Sequence, residues 1–263
     1  MLTVPAGDGT EIRADDDGAG SCVLIVHPGL DDGRSWRPVA ELLALRFRVV
    51  SVHRRQYRLD LPGGCSIAEE AADVVALARA IGAPLLLVGH SSGGLVALEA
   101  LLQAPDSFAG AVLYEPPIET APGEFRPALQ RAQSAVRAGR MGRALAIFFR
   151  DVVGVSAAAA SLSGRALALL PRWRDLAPRQ IADLAAIDDV GVALDRYTAI
   201  AAPVLLLTGD RSKDHLGRRT RALADALPGA RTVVLTKQGH DANRRAPATV
   251  AAQVETFANA VLG

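Results

Sequence analysis

Short apolar, β-rich runs alternate with helical ones along most of the chain, the pattern of a parallel sheet covered by helices on both faces. The predicted strands are 21–27 (SCVLIVH), 47–53 (FRVVSVH), 84–89 (PLLLVG), 109–115 (AGAVLYE), 202–209 (APVLLLTG) and 231–237 (RTVVLTK). Two short polar strands near 2–4 and 10–14 would form an antiparallel edge. Helices are predicted over 35–45, 67–81, 92–103, 216–227 and 247–261. Glu69, Glu70 and Asp73 lie in the first turns of the second, and Pro247 near the start of the last suits a first-turn position that needs no backbone donor. The expected fold is therefore α/β, with a mostly parallel, twisted sheet of about eight strands.

The alternation stops after Glu115. From 116 to 201 the chain offers no convincing strand, only Ala/Leu/Arg-rich helical stretches such as RPALQRAQSAVRAG, MGRALAIFFRDVVG and GRALALLPRW, broken by Gly and Pro. A helical block between two core strands reads as a cap over one edge of the sheet. The expected organisation is a core in two parts, 1–115 and 202–263, with a helical cap over 116–201.

Charge and composition remove several partner classes. The 29 basic and 28 acidic residues balance, so the chain lacks the positive field that non-specific nucleic-acid binding needs. No apolar run approaches the roughly 20 residues that cross a bilayer, and the acidic start MLTVPAGDGTEIRADDDG is unlike a secretory leader, which predicts no membrane partner and a cytoplasmic location. Cys22 and Cys65 have neither metal-ligand spacing nor the density of a disulfide scaffold, and read as incidental thiols. A small-molecule substrate is the expected partner; oligomeric state is not legible.

The chemistry concentrates at LLLVGHSSGGLVALEALL, residues 85–102. Gly89-His90-Ser91-Ser92-Gly93 fits G-x-S-x-G between a predicted strand and a predicted helix. A serine on so sharp a turn takes strained backbone angles, and glycines two positions to either side remove side chains that would collide. A plain helix cap, in which Ser91 or Ser92 accepts from first-turn amides, is the competing reading.

With that motif in place the chain resembles an α/β-hydrolase over nearly all its length, least in the cap. VLIVHPGLDDGRSW at 23–36 resembles the His-Gly oxyanion loop after the third strand, with Pro28 inserted between His27 and Gly29. GHSSGG resembles the nucleophile elbow, and KQGHDA at 237–242 the loop that presents the catalytic histidine. The resemblance implies Ser91 as nucleophile and His240 as general base, in the order serine, acid, histidine. Of the other histidines, His27 is expected to tie down the oxyanion loop, His90 to point away from the serine, and His53 and His215 to be packing or surface residues.

The acid stays open. Most of the family places it three residues past a glycine after the seventh strand, which here is Ser212, flanked by Asp210 and Asp214. Glu115, ending the sixth strand, is the preferred alternative; some relatives, among them a group of haloalkane dehalogenases, supply the acid from there. Those enzymes attack with an aspartate, so dehalogenation does not come with the likeness. The backbone amides of Leu30 and Ser92 are the expected oxyanion donors. Gly29, Asp31, Trp36, Arg54 and Tyr57 are the expected substrate contacts, in a pocket between the sheet's C-terminal edge and the cap. Arg55, Arg58, Arg244 and Arg245 stand near the same edge, either to hold a substrate anion or as a solvated or paired face. Phe148 and Phe149 are read equally as ligand contacts or packing.

The implied activity is hydrolysis of an ester, thioester, lactone or amide, with no metal or cofactor. The alternatives are an acyltransferase, a lyase or cyclase that does not acylate Ser91, and a ligand-binding module without turnover.

Overall fold

The computed structural model describes residues 1–82 and 84–263. Its strands are β1 (Leu2–Pro5), β2 (Glu11–Asp17), β3 (Cys22–Val26), β4 (Arg48–Val52), β5 (Leu85–His90), β6 (Phe108–Tyr114), β7 (Val204–Gly209) and β8 (Arg231–Leu235). They form one sheet in the order β1-β2-β4-β3-β5-β6-β7-β8. The β1–β2 and β2–β4 pairs are antiparallel and the others parallel. Every residue of β3 and β5 is buried, as central strands covered on both faces must be.

Helices α1 (Arg37–Leu43), α2 (Ile67–Ile81), α3 (Ser92–Gln103), α9 (Asp214–Ala226), α10 (Ala242–Arg245) and α11 (Pro247–Leu262) belong to the core, and five further helices, described below, lie between β6 and β7. The two-residue period of the strands divides the core into two layers. Val23 and Ile25 of β3 pack with Val39 and Leu43 of α1 and Val254 and Phe257 of α11. Leu24 and Val26 pack on the opposite face with Val74 and Leu77 of α2 and Leu95 and Leu98 of α3. Each such buried side chain contributes roughly 1.5–3 kcal/mol.

The start of α2 is fixed by a capping box. Ser66 Oγ accepts from the Glu69 amide at 3.1 Å and Glu69 Oε2 from the Ser66 amide at 2.8 Å. Glu70 and Asp73 do more than bias the helix dipole: both are buried and pair with Arg54 and Arg55 of the loop after β4.

Between β6 and β7 the described residues form α4 (Arg126–Arg137), α5 (Met141–Phe148), α6 (Ala157–Ala168), α7 (Pro171–Val190) and α8 (Leu194–Tyr197), with a π-helical turn over Phe149–Val153. The stretch at 164–173 is broken at its proline, as the sequence suggests. It spans the end of α6 and the start of α7, where Pro171 takes the first helical position. No helix among the described residues is long and apolar enough to cross a membrane.

Candidate active site

Ser91 stands between β5 and α3 with φ 52° and ψ −127°, a conformation that costs a non-glycine residue about 1–3 kcal/mol. Its amide donates to the Tyr114 carbonyl at 2.9 Å, tying the turn to β6. A Cβ on Gly89 would lie 2.6 Å from the Gly93 carbonyl oxygen, and one on Gly93 would run into the Val26 and His27 carbonyls. The second glycine therefore clears the end of β3 rather than β5. The helix-cap reading of Ser91 fails, since its side chain makes no cap hydrogen bond. Leu30 (φ 51°) and Glu115 (φ 46°) are also non-glycine residues in the left-handed region, so strained positions gather at this end of the sheet.

Glu115, directly after β6, has a fully buried side chain. Its Oε1 accepts from Thr208 Oγ1 at 2.8 Å and from the Gly209 amide at 3.0 Å, and its Oε2 lies 2.6 Å from His240 Nδ1. Burial alone would raise the Glu115 pKa, but His240 and the Gly209 amide outweigh it and hold the carboxyl below its usual value. An ionised Glu115 fixes the proton of His240 on Nδ1 and leaves Nε2 free. The loop carrying His240 is set by Tyr114, whose hydroxyl donates to the Gly239 carbonyl and accepts from the Ala242 amide.

Asp210 and Asp214 take no part in this arrangement. Both are exposed: the Asp210 amide bonds the Leu235 carbonyl, turning that residue along β8, and Asp214 opens α9.

Ser91 and His240 line one cavity of about 470 Å³, together with Gly29, Leu30, Asp31 and Ser92. Phe148, Phe149, Val152, Trp173, Leu184 and Ile187 give it an apolar wall from the insertion, and Gln180 and Asp183 of α7 a polar one. Asp31 Oδ2 accepts from Ser35 Oγ at 2.6 Å, and Asn243 Nδ2 donates to Ser35 Oγ at 3.1 Å, linking the loop after β3 to α10 behind His240.

Three expected substrate contacts lie elsewhere. Trp36 is fully buried beside α1, with Nε1 donating to His90 Nδ1 at 3.1 Å. Arg54 is buried against Glu70, Asp183 and Ser92. Tyr57 is buried with its hydroxyl 2.7 Å from Asp183 Oδ2 and 3.0 Å from Gln180 Oε1. None of the three lines the Ser91 cavity, because each meets a buried partner before reaching it. Burial and Asp183 push the Tyr57 phenol well above its usual pKa, while Arg54 and the nearby Leu30 amide pull the other way. Three more of the edge arginines are paired: Arg55 with Asp73 and Asp8, Arg58 with Asp60, and Arg245 with Asp241. Of the arginines expected at this edge, only Arg244 lines the cavity.

His90 is turned towards Trp36, Tyr114 and His240. It lines the cavity, stacks on Tyr114 with ring centroids 4.5 Å apart, and approaches His240 at 4.7 Å. Burial and the neighbouring His240 hold its pKa well below the ordinary value, so it stays neutral beside the other ring. Thr208, Gln180 and Asp183 are the site neighbours that sequence reasoning missed. The last two left a trace: with Leu176, Leu184 and Ile187 they share the buried face of α7, an unusual position for an acid and an amide.

His27 sits under the loop, its Nδ1 2.8 Å from the Pro28 carbonyl and its Nε2 accepting from the Arg54 amide at 3.3 Å. Burial pushes its pKa from 6.5 down to about 4. The unfolded chain therefore binds the extra proton first, and stability present above about pH 6.5 is lost as pH falls towards 4. The expected loss is on the order of 3 kcal/mol, at about 1.4 kcal/mol per pH unit; the depressed Glu115 adds a separate loss, of the same sign, only as pH falls below the ordinary carboxyl value of 4.5. Thermal melts across this range check it: Tm should drop with acid, and a flat Tm would contradict a buried neutral His27.

The alpha/beta hydrolase family model matches residues 23–253. An alpha/beta hydrolase from Sphaerobacter thermophilus is 28% identical, with a TM-score of 0.80 over 97% of this chain and 99% of that one. Est816, described as an N-acyl homoserine lactone degrading enzyme, is 25% identical with a TM-score of 0.76 over 97% and 100%. A thermophilic esterase from Thermogutta terrifontis shares the fold at 22% identity, with a TM-score of 0.76 over 99% and 98%. Sheet order, elbow and family match lead to one statement: this chain belongs to the alpha/beta hydrolase family.

Proposed function

We propose that the protein is a serine hydrolase that cleaves an ester, thioester, lactone or amide of a small molecule through an acyl-enzyme on Ser91. The observation that carries this reading is the 2.6 Å contact between buried Glu115 Oε2 and Nδ1 of His240, which lines the same cavity as Ser91.

In this mechanism His240 Nε2 takes the Ser91 hydroxyl proton as Oγ attacks the substrate carbonyl carbon, and Glu115 stabilises the imidazolium that forms. The carbonyl oxygen becomes an oxyanion held by the amides of Leu30 and Ser92, the latter at the positive end of α3. The intermediate collapses, the bond to the leaving group breaks, and His240 returns its proton to the departing alkoxide, thiolate or amine. Water then attacks the acyl-enzyme with His240 again as base, releasing the acid and restoring Ser91. Every proton is carried by the chain's own groups, so the reading requires no cofactor.

The insertion acts as a cap in this account, supplying the apolar wall against which an acyl or alkyl group desolvates. Esters lead because alkoxides depart more easily than amines, and the likeness to Est816 keeps lactones in the class. The apolar wall of Phe148, Phe149, Val152, Trp173, Leu184 and Ile187 suits a largely apolar acyl or alkyl group, while Arg244, the edge arginine that lines the cavity, leaves room for at most a single anionic group beside it.

A panel of p-nitrophenyl esters of increasing chain length, run beside simple lactones, tests the reading. Turnover is expected for the short members and should fall as the acyl chain outgrows the 470 Å³ cavity. No turnover above the buffer rate for any member would overturn it.

A further inference from the structure

Arg54 is the hub of a buried network that joins the core, the cap and both loops facing Ser91. Its side chain is 1% exposed, and every N–H of its guanidinium has an acceptor. Nε donates to Glu70 Oε1 at 3.1 Å, and Nη2 donates to Glu70 Oε2 at 2.5 Å and Asp183 Oδ1 at 2.8 Å. Nη1 donates to Ser92 Oγ at 2.7 Å and to the His27 carbonyl at 3.3 Å.

These partners come from four places. Glu70 is on α2 and Asp183 on the cap helix α7. Ser92 follows the nucleophile at the start of α3, and His27 immediately precedes the Pro28-Gly29-Leu30 turn. The planar fork holds its acceptors in fixed mutual directions, which the rotating ammonium of a lysine cannot do. Dropping any one partner leaves a buried donor unpaired. Two carboxylates share one guanidinium, and burial pushes the Glu70 carboxyl up despite Arg54.

We propose that Arg54 is a positioning residue for the reaction: through Ser92 Oγ and the His27 carbonyl it holds the two oxyanion-donor loops in register, and through Asp183 it makes that register depend on how the cap seats. The inference rests on the serine-hydrolase reading above. An oxyanion hole works through donors placed to a fraction of an ångström, so a small relative shift of the two loops lowers turnover without removing a donor. A purely structural cluster would act on stability alone.

The test compares kcat, KM and Tm for p-nitrophenyl acetate in wild type, Ser92→Ala, Ser92→Thr and Asp183→Asn. Ser92→Ala keeps the backbone amide and removes only the acceptor of Arg54. Its kcat should fall about tenfold, a fraction of what losing a whole donor costs, with KM nearly unchanged. Ser92→Thr, which retains a hydroxyl, should recover most of that loss, and Asp183→Asn should lower kcat in the same direction. Unchanged kcat in Ser92→Ala and Asp183→Asn, with effects confined to Tm or KM, would overturn the proposal and leave the hydrolase reading standing. Equal impairment of the Ala and Thr variants would trace the effect to packing of α3 and also overturn it. If Ser92→Ala does not fold, Asp183→Asn decides by the same split. A wild type inactive on the whole ester panel would overturn the hydrolase reading, and this inference with it.

Discussion

Replacing Ser91 with alanine is expected to lower kcat for ester hydrolysis by about 10⁴-fold or more, because the residual rate then comes only from binding and oxyanion stabilisation. The protein should remain folded. The Ser91 side chain caps nothing, and an alanine at φ 52° meets the same backbone strain that the serine already carries, so Tm should move little. Steady-state kinetics and a melting curve on one preparation separate the two effects. A variant that keeps appreciable turnover would favour chemistry that uses the cavity without acylating Ser91.

Glu115→Gln carries the second large effect. The substitution removes the charge that stabilises the His240 imidazolium and the acceptor that fixes its tautomer, and kcat should fall by about 10³- to 10⁴-fold. Asp210→Asn, by contrast, alters an exposed side chain that makes no hydrogen bond to His240, whose Nδ1 is taken by Glu115, and its activity should stay within about twofold of wild type. If Glu115→Gln retained activity while Asp210→Asn were dead, the acid would be assigned to the wrong strand. The amide's single oxygen cannot serve all three donors: kept on the Thr208 hydroxyl and Gly209 amide, it leaves the NH2 group facing His240 Nδ1, which is why the tautomer is lost.

How far the molecule can be read from sequence depends on the range of the forces involved. The elbow is legible because its sterics are local: Gly89, Ser91 and Gly93 lie within five residues, between runs whose apolar patterning marks a strand and a helix. Helices 67–81 and 92–103 are legible to their ends for the same reason, one opened by a capping box and the other by the elbow. The acid is different. Glu115 and His240 are 125 residues apart, and the loop after β7 offers two aspartates whose orientation depends on where β8 takes the chain.

Trp36, Arg54 and Tyr57 show the same limit from the other side. Each belongs to a segment that leads towards the cavity, but whether a side chain there points up to a ligand or down into the protein is decided by distant partners. For Arg54 that partner is Asp183, 129 residues away on a helix whose place over the sheet no local signal reports. The break at Pro171 was legible as punctuation, yet not which helix it starts, since both neighbouring stretches are Ala- and Leu-rich.

The central claim is that the hydroxyl at position 91 is a nucleophile activated by His240. Intact-mass measurement after treatment with a fluorophosphonate probe, followed by peptide mapping, addresses it most directly. The account predicts a single adduct on Ser91 that is absent from Ser91→Ala and strongly slowed in His240→Ala. An unlabelled wild type, or an adduct on another residue that persists in Ser91→Ala, would contradict it.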